Sequence, residues 1–89
     1  MIKIVISYNG EIEPLRNIFE WLDENAGEEY FEVNNIGKSL DIVERLFLDS
    51  DKDYFISFPD IDNFLVFHFK DKDKALIFKL TYGGYNETI

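Results

Sequence analysis

Eighty-nine residues with eighteen Asp and Glu against nine Lys and Arg give a formal charge of −9, which disfavours binding to nucleic acid and to anionic lipid, since both demand Lys and Arg. The chain has no cysteine and one histidine, so a disulfide framework and a thiolate metal site are excluded, and a reducing, cytoplasmic setting is expected. The length fits a single domain over residues 1–89, and nine Phe, five Tyr and one Trp are enough aromatic area for one core.

Ile2, Ile4, Ile6 and Tyr8 alternate with Lys3, Val5 and Ser7, the period of a strand with one strongly apolar face. The Met1 to Ile6 run is too short for a secretory h-region, and no stretch approaches the roughly 18 apolar residues of a membrane span. Asn9-Gly10 marks a turn, and Pro14 suits the first position of a helix. Leu15, Ile18, Phe19, Leu22 and Ala26 then recur at helical spacing, with Gly27 as the stop. Trp21 falls beside that stripe, at the edge of the core. The outer face reads Glu13, Asn17, Glu20, Asp23 and Glu24.

Residues 30–33 have the composition of a short strand, and Asn34, Asn35 and Gly37 that of a turn. Ser39 is placed to cap a second helix with Leu40, Val43, Leu46 and Phe47 inward and Asp41, Glu44 and Arg45 outward. The acidic run 49–53 ends it. A third strand is expected over 54–58, stopped by Pro59, and the strongest strands over 64–70 and 75–82. Asp71-Lys72-Asp73-Lys74 reads as the loop of a hairpin between those two. Gly83-Gly84 opens a loose tail over 83–89. The order β-α-β-α-β-β-β makes an α+β fold: a two-layer sandwich of a mostly antiparallel sheet with two helices.

The charge is uneven along the chain. Residues 1–37 carry eight acids and two bases, residues 41–62 seven acids and two bases, and residues 63–89 three acids and four bases. The expected function is non-enzymatic: an acidic helical side, formed by Glu13, Glu20, Asp23, Glu24, Asp41, Glu44, Asp49, Asp51 and Asp53, engages a basic protein partner by electrostatic steering. In size and charge the chain resembles immunity proteins of nuclease toxins and phage anti-defence proteins, including anti-CRISPR and anti-restriction inhibitors. That resemblance implies occupation of the basic groove of a nucleic-acid-handling protein. Lysines at 52, 70, 72 and 74 count against a strict mimic of DNA phosphates. The same negative charge also serves to keep a small domain dispersed.

Two alternatives rest on other residues. Phe64, Val66 and Ile77 share the second face of the expected hairpin, too apolar for open water, and would make a homodimer or adaptor surface. Residues 49–60 resemble the EF-hand calcium loop, with Asp49, Asp51, Asp53 and Asp60 at the oxygen-bearing positions and Ile56 at the aliphatic one. Tyr54 stands where that loop needs glycine, Asp60 replaces its longer bidentate Glu, and Pro59 denies the outgoing helix, so neither metal nor cofactor is expected. His68, between Phe67 and Phe69, is expected to pack, half-buried, within the core or an interface. Ser7, Ser39, Ser50 and Ser57 have no base other than His68, and the adjacent carboxylates Asp23/Glu24, Glu28/Glu29 and Asp60/Asp62 sit in alike polar stretches.

Overall fold

The computed structural model describes residues 1–35, 37–58 and 63–83 and the backbone of 85–86. Pro59, Asp60, Asp62 and Gly84, each given a role above, lie outside the described residues. The elements are β1 (Ile2–Ser7), α1 (Ile12–Asn25), a 3-10 turn (Val33–Asn35), α2 (Leu40–Asp49), β2 (Tyr54–Ser57), β3 (Phe64–Phe69), α3 (Lys72–Tyr82) and β4 (Tyr85–Asn86). They form an α+β fold on an antiparallel sheet of order β2-β3-β1-β4.

Alternation in β1 and β3 sets the two sheet faces. Ile2, Ile4 and Ile6 stand opposite Phe69, Phe67 and Leu65 on one face, and Lys3, Val5 and Ser7 opposite His68, Val66 and Phe64 on the other. The first face receives Ile18, Leu22 and Ala26 from α1 and Ala75 and Phe78 from α3. Phe78 is fully buried between Phe67 and Phe69, with ring centroids 4.8 and 5.2 Å away. Trp21 closes this core's edge against Phe78 and Tyr82, as its place beside the stripe suggested.

The segment 72–82 corrects the largest expectation. It is a helix, not the second arm of a hairpin, so the sheet carries α1 and α3 as its helical layer. The Asp71 carboxylate accepts from the Asp73 and Lys74 amides at 2.8 and 3.3 Å, so the polar run read as a loop is an N-cap and a first turn. A strand over 75–82 would place Leu76, Phe78, Leu80 and Tyr82 on one face. Helical period turns Ala75 and Phe78 inward and leaves Leu76, Ile77 and Leu80 exposed. The homodimer face therefore does not exist as drawn: Phe64 and Val66 lie on β3, Val66 buried, and Ile77 lies out on α3.

Four smaller corrections concern local structure. Residues 30–33 form no strand; a single parallel bridge joins Glu29 to Tyr54, after which the chain tightens into the 3-10 turn. Helix α1 starts at Ile12, and Pro14 sits inside its first turn, where its missing amide costs nothing. Phe19, Leu40 and Leu46, expected in apolar stripes, are exposed. At the expected loose tail, the backbone of Tyr85 and Asn86 pairs with β1.

Helix α2 lies against the other face of the sheet. Its seam is Val43, Glu44 and Phe47; the Phe47 ring meets Phe55 at 4.8 Å. Thus α1 and α2, expected as one acidic side, look out in opposite directions. Among the described residues no helix is long and apolar enough to cross a membrane.

Candidate functional site

The acidic residues divide into three groups. Glu13, Glu20, Asp23 and Glu24 are exposed on α1. Asp41 and Asp49 are exposed on α2, on the far side of the sheet, and Asp51 stands at the loop tip beyond it. Glu44 is turned under α2 towards Lys3, and Asp53, its side chain 40% exposed, is turned towards Glu28 and Lys74.

Asp53 is an internal cap. Its Oδ2 accepts from the Glu28 amide at 2.8 Å, and its other oxygen lies 3.8 Å from the Lys74 ammonium. The chain approaches it so closely because Gly27, at φ 96°, has no Cβ; one built there would collide with the Asp53 carboxylate. Asp49, Asp51 and Asp53 do not converge: no group of three or more metal-ligating side chains gathers among the described residues. Asp60 lies outside them.

The α1 ridge keeps its charge open. Glu13 pairs with Arg16 at 3.5 Å, but Glu20, Asp23 and Glu24 have no cation within 4.0 Å among the described residues. Their fields reach aromatic hydroxyls beside the helix. Burial first, then Glu29 and Asp23, pushes the Tyr54 hydroxyl up to about 12; burial first, then Glu20 and Glu24, raises that of Tyr82.

Several lysines that might have neutralised this surface are committed elsewhere. Lys70 donates to the Ser50 carbonyl at 2.5 Å and lies 4.7 Å above the Phe47 ring. Lys74 donates to the Ala26 carbonyl that ends α1, at 3.2 Å. Lys52 pairs with Glu28, which holds its ammonium above the usual range. Lys3, only 11% exposed, lies 2.7 Å from Glu44. The lysines at 52, 70 and 74 thus interrupt the acidic sequence more than they interrupt the acidic surface.

Beneath α2 lies a polar cluster that sequence order concealed. His68 is fully buried and stacks flat on Phe55, centroids 3.9 Å apart and planes 6° from parallel. It is neither half-buried nor at an interface. Its Nε2 is 2.7 Å from the Ser57 hydroxyl, and its Nδ1 is 3.9 Å from Glu44 Oε1. The residue types are those of a hydrolase triad, but the geometry opposes that chemistry. A separation of 3.9 Å is too long for the carboxylate to orient the ring by a hydrogen bond, and Glu44 is held by Lys3. Burial, then the nearby Lys3 charge, lowers the His68 pKa to about 3, so the ring is a poor acceptor of a serine proton. The neutral ring shares a hydrogen bond with the Ser57 hydroxyl through Nε2, and no hydrogen-bond partner for Nδ1 is found among the described residues. The cluster joins α2, β1, β2 and β3 into one packed unit.

Ser57 also borders an open groove of about 810 Å³ between residues 30–32, 35 and 37–38, the start of α2 and the edge of the sheet. Its walls are mainly apolar, including Phe31, Leu40, Val43 and Phe58, with Glu32 and Lys38 as charged members. Sequence reading missed it, because the groove needs α2 on this face of the sheet. Comparison with protein-family models, with curated proteins and with solved structures gives no match to this chain.

Proposed function

We propose that this chain is a non-enzymatic, cytoplasmic protein-binding domain whose α1 ridge engages a basic protein and blocks its nucleic-acid-binding surface, as immunity and phage anti-defence inhibitors do. The observation that carries this reading is the uncompensated triplet Glu20, Asp23 and Glu24 on one exposed helix, while Lys3, Lys70 and Lys74 are turned into the fold. A helix face of one sign steers an oppositely charged partner and accelerates association by about 10- to 1,000-fold at low salt. Rigid presentation helps: the ridge rides on Ile18, Leu22 and Ala26, all buried in the core.

The test is a pull-down from the source cell with salt-gradient elution, followed by association kinetics on the protein recovered. Reversing the triplet to Lys should slow association at least about tenfold and flatten its salt dependence, with the circular-dichroism spectrum unchanged. Added nucleic acid should compete. A partner indifferent to both the triple change and salt overturns the reading.

A further inference from the structure

We propose that the open edge of β2 receives an extended, lysine- or arginine-bearing segment of the partner as an added strand, with an apolar side chain of that segment seated in the groove beneath α2. This inference rests on the proposed basic partner and names the element of it that docks.

The backbone specifies an extended occupant. In the order β2-β3-β1-β4, β2 is an edge strand. Its first residue is covered: Tyr54 accepts from the Tyr30 amide at 2.7 Å and donates to the Glu28 carbonyl at 3.4 Å. The chain then leaves for the 3-10 turn. Since alternate residues of a strand direct their amide and carbonyl to the same edge, Ile56 presents both groups beyond the point of departure. No backbone partner for either is found among the described residues. A helix offers no free main-chain groups to such an edge, whereas an extended segment offers one pair every second residue.

Charge and shape choose the side chains. Glu29, bridged to Tyr54 at the head of the lane, and Asp23 on α1 both act on the Tyr54 hydroxyl, and neither has a cation within 4.0 Å among the described residues. A lysine or arginine of the added strand would supply one. On the α2 side, Phe31 and Phe58 stand 71% and 75% exposed at the groove mouth. Rings so exposed around a concave apolar wall suit an aliphatic side chain entering from the neighbouring strand position. Alternation of basic and apolar residues satisfies both sides at once.

The probe is an acetylated, amidated hexapeptide of alternating Lys and Val, titrated into the isotope-labelled full chain and followed by amide chemical shifts. The expected result is saturable binding with the largest shifts at Ile56, Phe58 and Phe31. The same peptide with Glu for Lys should bind at least about tenfold more weakly. Two N-methylated versions, each blocking one alternate set of amides, should differ at least about tenfold from one another, since only one set faces β2. Phe31→Glu, a change at an exposed site that leaves the core intact, should weaken the parent peptide at least about fivefold. No saturable shift up to about 1 mM peptide, or equal binding of the two N-methylated forms, overturns the inference. Loss of partner binding in the Glu20/Asp23/Glu24 triple variant, with Phe31→Glu unaffected, removes the strand-docking inference and leaves the proposed function standing. Peptide shifts centred on Ile56, with partner binding insensitive to the triple change and to salt, do the reverse.

Discussion

Lys3 Nζ stands 2.7 Å from Glu44 Oε1, and the two side chains are only 11% and 18% exposed, so one ion pair ties the central strand to α2. Removing one member of a largely desolvated pair leaves the other charged and unmatched. Glu44→Ala should destabilise the fold by about 3 kcal/mol in urea unfolding. The double change Lys3→Met with Glu44→Leu should recover most of that loss, since an apolar pair of similar volume often replaces a buried salt bridge at little cost. Equal destabilisation by the single and double variants would show that the pair contributes through packing alone.

The imidazole beneath that pair makes the fold acid-sensitive. The folded pKa of His68 lies at about 3, against 6.5 in an unstructured chain. Between these values the unfolded state holds a proton that the folded state excludes, so the stability that depends on a neutral His68 is complete above pH 6.5 and is lost as pH falls towards 3. The full window corresponds to about 4–5 kcal/mol. His68→Gln keeps a polar side chain without titrating, and its stability should vary less steeply with pH across this interval than that of the parent chain. Identical slopes in parallel urea titrations at pH 7, 5 and 4 would remove His68 as the cause.

Gly27 and Asp53 should behave as one unit. Gly27→Ala introduces both a left-handed backbone cost of about 1–2 kcal/mol and a collision with the carboxylate that caps Glu28. Asp53→Ala alone forfeits the cap, about 1 kcal/mol. Combined, the two changes should cost less than their separate effects added together, by at least about 1 kcal/mol, because the shortened side chain no longer obstructs the methyl. Strict additivity would place the whole Gly27 effect in the backbone.

Two truncations on α3 separate its helical period from a strand period. Phe78→Ala should cost about 3–5 kcal/mol, because that ring is fully buried. Leu80→Ala, at 77% exposure, should stay within about 0.5 kcal/mol. In a hairpin the two would share a face and cost alike. Thermal or urea midpoints decide it.

What could be read from the residues follows from how many periods each segment satisfies. Residues 2–7 alternate, residues 64–69 are a short, nearly continuous apolar run, and Leu15, Ile18 and Leu22 mix odd and even positions as a helix does and a strand does not, so β1, β3 and α1 were legible. The run Ala75 to Tyr82 has apolar residues on every side, and Leu76, Phe78 and Leu80 fit period two as well as they fit a loose amphipathic helix. The decisive signal was Asp71 followed by two amides to cap, which in composition looks the same as a charged turn. The exposed triplet on α1 was legible because its outward face depends on one helix alone. Glu44 and Asp53 were not, because their inward roles depend on partners far away in sequence. One local hint existed: a lysine at position 3, in a central strand buried on both faces, requires an acid above it. Ser57 and His68 meet only because β2 and β3 pair in one register, Ser57 opposite Val66 and His68 opposite Phe55, and that register has no local signature.

The lysine contacts make polarity a product of folding. Along the extended chain Lys70 and Lys74 stand beside aspartates; in the fold they anchor to the Ser50 and Ala26 carbonyls, so their charge is spent on holding chain segments together. The distribution of charge over the surface is therefore set by folding, while the total of −9 is not. A partly denatured copy carries the same net charge without that distribution.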